Sequence, residues 1–252
     1  MRAILTYHSI DGSASPVSVA PDQWRAHGAF LASGAVRVLP LRELLQAPED
    51  ADAVALTFDD AFRNFMTEAL PVLEEYGLPA TVFAVADRAG ATNAWDGASV
   101  PGIPTLPLMT WDELGQAQAR GVEVGSHTRT HPHLPALAPR QVEDEVAGAA
   151  ETFERHLGVV PAAFAYPYGS VDATSARIVG RIHAVACTTE LRPLAAAEDP
   201  ALLPRLDMYY LRDAGRLEQW GSTGFRMRLW VRARMREVRR VASGAPSRRE
   251  VA

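Results

Sequence analysis

Short apolar runs alternate with longer amphipathic stretches along most of the chain. The runs at 3–7, 54–58, 81–85, 122–125, 163–166, 184–188 and 206–210 predict strands. Between them, apolar positions recur at helical spacing over 21–33, 62–76, 111–120, 140–157 and 173–180. Thr110 followed by Glu113 makes a capping box that marks the start of the third of these helices. Strands alternating with helices predict βα units. The expected fold is therefore α/β, a distorted (β/α) barrel of about seven parallel strands in a single domain.

A different pattern begins near the C-terminus. Met227, Val231, Met235, Val238 and Val241 recur at steps of three and four, while Arg228, Arg232, Arg236 and Arg239 follow the same period on another face. This predicts a basic amphipathic helix and divides the chain into a barrel domain over 1–224 and a helix with tail over 225–252. Charge sharpens the division. All 25 basic residues are arginine, and nine of them, with two glutamates, follow Gly224. The tail carries +7 in a chain of −5, which leaves −12 for the residues before it. Two roles for the helix stay open: packing on the barrel with a solvated arginine face, or docking onto anionic lipid or an acidic partner.

Composition narrows the class. With 252 residues, 48% of them hydrophobic and 22% charged, the chain can bury a full core. Nucleic acid is not an expected partner: the body has the wrong sign for a phosphate backbone, and the tail has only Phe225 and Trp230 as aromatics. Cys187, the one cysteine, lies in the apolar stretch 184–188, so it is expected to be a buried, inert thiol with no intrachain partner. No run approaches the roughly 18 apolar residues of a membrane span. The start, Met1 to His8, is too short an apolar run for a signal-peptide core. A cytoplasmic location is expected, with the tail as a candidate contact to the inner membrane face.

The reactive side chains fall at the C-terminal ends of the predicted strands: His8 after the first, Asp59 and Asp60 after the second, His127 after the fourth and Pro167-Tyr168 after the fifth. In a parallel barrel these ends share one mouth. Asp59 and Asp60 are adjacent, so their side chains diverge, and one can bind a metal while the other serves as a base. His127 and His131 converge on one ion if their segment makes a helical turn, with Ser126, Thr128 and Thr130 offering hydroxyls to orient the rings. Asp60, His127 and His131 would hold one divalent metal and leave open positions, as a catalytic site requires. Zinc is the default for such ligands, and cobalt or nickel would also fit. Taken singly, an Asp-Asp pair is often a solvated turn and a histidine pair of this spacing often lies on a solvated helix. Their conjunction favours metal-assisted hydrolysis. His133, followed by Leu134-Pro135, is expected to turn away.

These segments resemble the polysaccharide deacetylases of the chitooligosaccharide deacetylase type over most of residues 1–210. Thr57-Phe58-Asp59-Asp60 is similar to the family's first motif, Ser126 to His131 to its second, and Phe164-Ala165-Tyr166-Pro167-Tyr168-Gly169 to its third. The resemblance implies a metal-dependent enzyme that removes N-acetyl groups from amino sugars. It makes Asp59 the general base, Asp60, His127 and His131 the ligands, and the Tyr168 backbone N–H a donor to the tetrahedral oxyanion. The chain departs from the common pattern in three places. Pro161-Ala162-Ala163 stands where an arginine is usual before the third motif, and no late Leu-x-His supplies a general acid. The Tyr7-His8 pair resembles the permuted poly-N-acetylglucosamine deacetylases, in which a histidine after the first strand does that work, so His8 becomes the candidate acid. The alternative for His8 is a structural bond to a loop carbonyl. The third departure is the orienting shell, for which Arg205 and Asp207 are proposed replacements, against the reading that they form a surface ion pair.

Two other functions stay open at this stage: a related amidohydrolase of a small non-sugar amide, and a sugar-binding pseudoenzyme. The Gly- and Pro-rich stretch 95–105 is expected to form a loop over the mouth, where Trp95 could stack on a sugar or shape a smaller pocket.

Overall fold

The computed structural model of the chain describes residues 1–95, 97 and 99–242. In chain order, β1 (Arg2–Tyr7) leads to a small parallel pair, β2 (Ser9–Ile10) and β3 (Ser18–Val19), and then to α1 (Pro21–Ala32). A short β4 (Arg37–Val38) and α2 (Leu41–Gln46) precede β5 (Ala53–Phe58). A π-turn (Phe65–Ala69) runs into α3 (Leu70–Tyr76), followed by β6 (Ala80–Ala84), α4 (Trp111–Ala119) and β7 (Glu123–Ser126). Then come α5 (Pro139–Leu157), β8 (Ala163–Ala165), α6 (Ala173–Val179), β9 (Val185–Cys187), β10 (Leu206–Asp207), α7 (Ala214–Leu217) and α8 (Thr223–Ala242).

The main sheet runs β10-β1-β5-β6-β7-β8-β9, all pairs parallel, with β4 added beside the start of β5. Leu203 bridges Cys187 of β9, and three residues later Leu206 pairs with Leu5 of β1. One short segment thus touches both edges of the sheet and joins them into the distorted barrel that the alternation predicts. Each predicted strand and helix is present within a few residues of its expected bounds. The 62–76 helix differs internally: Pro71 lacks an N–H and its ring crowds the preceding turn, and the helix widens to a π-turn just before it. The Thr110–Glu113 capping box forms as expected, with Glu113 N–H donating to Thr110 Oγ1 at 3.2 Å and Thr110 N–H to Glu113 Oε2 at 2.9 Å.

Alternation along the strands sorts the core. Ile4, Ala55, Phe83, Ala165 and Cys187 pack inside the barrel, and their neighbours Leu5, Leu56, Phe58, Val82 and Ala84 pack outward under the helices. Small residues dominate the interior because a narrow barrel leaves little room: a Cβ on Gly125 would run into the ring of Phe83. Arg2 fills the lower end, donating to the carbonyls of Leu45, Ala47 and Ala195. Cys187 is buried, and burial pushes its thiol up to about 12, consistent with an inert side chain.

The C-terminal helix forms, but its expected apolar face does not pack. Phe225 and Leu229 are buried and Ala233 rests on the core, whereas Met227, Val231, Met235 and Val238 are exposed. Phe225, Leu229 and Ala233 are spaced by four and make a second apolar stripe, which the barrel selects. Arg232 and Arg236 also face inward, over the ring of Tyr210 at 4.8 and 5.7 Å. The side chain of Val241 and residues 243–252 lie outside the described residues.

Two buried histidines give the fold a pH limit. Burial pushes His27, beside the Tyr7 hydroxyl at 3.1 Å, and His183, whose Nδ1 meets the Pro161 carbonyl at 2.7 Å, down to about 4. Both stay neutral in the fold and bind protons once unfolded below about 6.5. Their contribution is complete above that value and is lost as pH falls toward 4, about 2 kcal/mol each by pH 5. Urea unfolding of chelator-treated protein should therefore show a lower midpoint at pH 5 than at pH 7, and His183→Gln should reduce that difference by about 2 kcal/mol. An unchanged difference in the variant would show that His183 titrates normally.

Candidate active site

The alternation that sorts the core also builds the site. On β1 the interior positions Ile4 and Thr6 lead to His8; on β5, Ala55 and Thr57 lead to Asp59; on β7, Gly125 leads to His127. All three side chains enter the mouth by continuing the inward face one step past the strand. Asp60 would point away under that alternation. Instead it adopts a left-handed conformation, φ 67°, followed by Ala61 at 51°, and the chain turns so that its carboxylate returns to the mouth.

Asp59 and Asp60 therefore face different partners. Arg205 grips Asp59 with two parallel bonds, Nη1 to Oδ1 and Nη2 to Oδ2, both 2.7 Å, and both residues are buried. Arg205 is itself held by Nε donating to the Thr188 carbonyl at 2.8 Å and by Nη1 near Thr57 Oγ1 at 3.3 Å. Burial alone would raise the pKa of Asp59, but the Arg205 charge and paired bonds outweigh it and hold the carboxyl below its ordinary range. His8, partly exposed at the rim, lies with Nε2 3.8 Å from Asp59 Oδ2. Asp207 is placed otherwise: its carboxylate accepts the Tyr209 N–H at 3.0 Å and caps the turn after β10, acting on Arg205 only through its charge.

Asp60 Oδ1 lies 3.5 Å from His127 Nε2 and 3.4 Å from His131 Nε2, and the three donor atoms fall within 4.8 Å of one another. These separations are long for hydrogen bonds. The two distances from Asp60 match the edge of a tetrahedron of ligands at about 2.0–2.1 Å from a common ion, about 3.3–3.4 Å. His127 Nδ1 meets the Ala165 carbonyl at 2.6 Å, so a neutral ring turns the lone pair of Nε2 toward the carboxylate, an arrangement that a cation between them would relieve. The buried Nδ1 of His131 has no hydrogen-bond partner among the described residues. Burial opposes the charge on Asp60, yet the two imidazoles hold its pKa well below the carboxylate range. The three residues fit a divalent metal.

The segment between the histidines is not the helical turn expected from their spacing. Residues 127–131 form an irregular loop in which Thr128 and His131 are both left-handed, at φ 68° and 71°. These two hydroxyls do not orient the rings: Thr128 Oγ1 accepts the His131 backbone N–H at 3.0 Å, and Thr130 Oγ1 donates to the Glu145 carboxylate at 2.7 Å. Glu145 of α5, which sequence reasoning missed, also accepts the N–H groups of Arg129 and Thr130, each at 3.0 Å. The signal was faint, one acidic residue on a helix with several others.

Tyr168, left-handed at φ 59°, stacks on His133 at 4.0 Å and meets His131 edge-on at 4.6 Å. His133, which also pairs with Ser170 Oγ at 2.9 Å, thus stands at the rim instead of turning away. Trp95 stacks on His131 at 4.1 Å, closing one side of the ligand ring. Asn93 pins the base of the Trp95 loop through the Pro104 carbonyl and the Leu106 N–H. Of six non-glycine residues with positive φ among those described, five, Asp60, Ala61, Thr128, His131 and Tyr168, border this mouth. Such strain gathers where a side chain must be aimed against the local preference of the backbone.

The sequence profile of the polysaccharide deacetylase family matches residues 46–185, more than half of the chain. The chain is 26% identical over 205 residues to YxkH of Bacillus subtilis, assigned by name to the polysaccharide deacetylases, covering 79% of this chain and 67% of that one. It is 34% identical over 131 residues to a chitooligosaccharide deacetylase of Bradyrhizobium, covering 50% of this chain and 52% of the relative. The chain thus spans between half and two thirds of the length of these relatives. In fold it is similar to the deacetylase PplD of Streptococcus pyogenes, solved in complex with acetate, at a TM-score of 0.72, 23% identity and coverage of 86% and 96%. It is also similar to IcaB of Ammonifex degensii, at 0.69, 21% identity and coverage of 85% and 95%.

Because Glu145 holds the backbone that aims His131, Glu145→Ala should weaken zinc binding about 10- to 100-fold. A competition titration against a chromophoric chelator measures this. Unchanged affinity would mean that the loop keeps its shape without the carboxylate.

Proposed function

Because the chain belongs to the polysaccharide deacetylase family, we propose that it is a metal-dependent hydrolase that removes N-acetyl groups from an N-acetylated amino sugar and releases acetate. The observation that carries this reading is the buried Arg205–Asp59 pair standing beside the Asp60, His127 and His131 cluster. A divalent ion held by that cluster supplies Lewis-acid polarisation of the amide carbonyl and acidifies water. Zinc is the ion the donor set favours.

The chain's own residues divide the proton transfers. Arg205 keeps Asp59 ionised and fixed in one orientation. So stabilised, Asp59 is a weak base and takes a proton only from strongly acidified water, which accounts for a base and a cation site side by side. The water oxygen adds to the carbonyl carbon. The Tyr168 backbone N–H is assigned to the resulting oxyanion, supported by the packing of its ring against His131. As the C–N bond breaks, His8 in its imidazolium form protonates the departing nitrogen, leaving acetate and the free amine. Its Nε2 and the Asp59 carboxylate are 3.8 Å apart, so the proton that enters and the proton that leaves use adjacent groups.

Acetate release from N-acetylglucosamine oligomers by zinc-loaded protein tests the assignment. Asp59→Asn should abolish release, and Arg205→Ala should lower turnover about 100-fold or more while zinc stoichiometry is retained. Release that survives Asp59→Asn would remove Asp59 from the base role. No release from any amino sugar, despite bound zinc, would shift the reading to a small non-sugar amide.

A further inference from the structure

Helix α8 carries two apolar stripes on opposite sides. Phe225, Leu229 and Ala233 face the barrel. Met227, Trp230, Val231, Met235 and Val238 follow the i, i+3, i+4 pattern half a turn away and are 42–68% exposed. Trp230, Val231, Met235 and Val238 line a shallow apolar groove, crossed by Arg234 with its guanidinium 5.6 Å from the Trp230 ring. A stripe of this size on a helix already anchored by its other side serves no packing role within the described residues.

We propose that this outer face is a docking surface for an anionic lipid bilayer. Charge selects the occupant. Seven arginines against one glutamate lie in α8, so a second copy laid against the same stripe would set arginine against arginine. Residues 1–224 carry a net −12, so an anionic surface repels the body as a whole and favours the orientation with α8 toward it. Trp, Met and Val beside arginine also suit the boundary between headgroups and acyl chains, where indole and guanidinium both remain partly solvated. An acidic protein surface would use the arginines but leaves the Trp230, Met235 and Val238 stripe without a reason.

The course of the helix fixes what docking would do. Its beginning lies near Asp52, just before β5, where the charge of Arg226 acts and Gly221 approaches the carboxylate. One face of its second half lies on Tyr210, just beyond β10. The helix therefore runs along the strands from the closed end toward the mouth, and its outer stripe reaches the end of the barrel at which Asp59, Asp60 and His127 stand. Docking through α8 places the mouth beside the bilayer.

Co-sedimentation of the full chain with vesicles tests this. The protein should pellet with mixed phosphatidylglycerol–phosphatidylcholine vesicles, remain in solution with phosphatidylcholine alone, and be released by high salt. The double variant Trp230→Glu, Met235→Glu changes only exposed positions and should lower the partition coefficient about tenfold or more with an unchanged circular dichroism spectrum and melting temperature. Failure to pellet with anionic vesicles would overturn the proposal, as would equal binding to neutral ones. So would binding that persists in the variant, or a dimer in sedimentation equilibrium that the same substitutions dissociate.

Discussion

The Arg205–Asp59 pair joins the two ends of the barrel's construction. Arg205 belongs to the short segment that touches β9 at Leu203 and β1 at Leu206, while Asp59 ends the second main strand. Two bonds of 2.7 Å between buried groups tie the seam of the barrel to the Asp59 carboxylate. Burying both charges is costly, and their attraction offsets that cost only when geometry and further bonds are complete. Here they are: Thr188 and Thr57 take up the remaining guanidinium contacts. Removing either partner would leave an uncompensated charge in the interior, so the pair couples the seam to the orientation of Asp59.

The same constraint explains why the site is built from strained backbone. A narrow barrel brings strand ends close, but strict alternation would send Asp60 outward and leave His131 without direction. Left-handed residues at Asp60, Thr128, His131 and Tyr168 solve this one by one. Contacts from other elements hold these loops: the Met109 N–H on the carbonyl of Ala61 beside Asp60, the Ala86 N–H on the carbonyl of Thr128, Glu145 on the 129–130 backbone before His131, and the stacking of Tyr168 on His133. The strain is stored where aim matters and is balanced by bonds to neighbouring elements.

Much of this was legible in the sequence. Strand and helix positions followed from periodicity because buried parallel strands read as apolar runs. The Asp-Asp and His-x-x-x-His segments stood out because reactive side chains ended those runs. Arg205, guessed from an Arg-x-Asp pair, is seen gripping Asp59, whereas its neighbour Asp207 caps a turn. Sequence spacing could not distinguish the two: residues two apart on a strand share a face, and only the partners that each meets in the fold, Asp59 for Arg205 and the Tyr209 N–H for Asp207, separate their roles. The helical turn expected between His127 and His131 did not form: spacing of four is compatible with a helix, but here two left-handed residues fold the loop back to bring the imidazoles together. Glu145 was invisible because it meets the 129–130 segment only through the fold, by two main-chain N–H groups and one hydroxyl on a different element. The packing face of α8 was misread because two apolar stripes compete on one helix and only the barrel chooses between them.

X-ray absorption at the zinc edge of stoichiometrically loaded protein tests the central claim most directly, that Asp60, His127 and His131 together form a cation site. The account predicts a first shell of nitrogen and oxygen at about 2.0–2.1 Å with the outer-shell scattering of two imidazoles. Failure to bind one equivalent of zinc, or a bound ion whose spectrum lacks imidazole scattering, would contradict it.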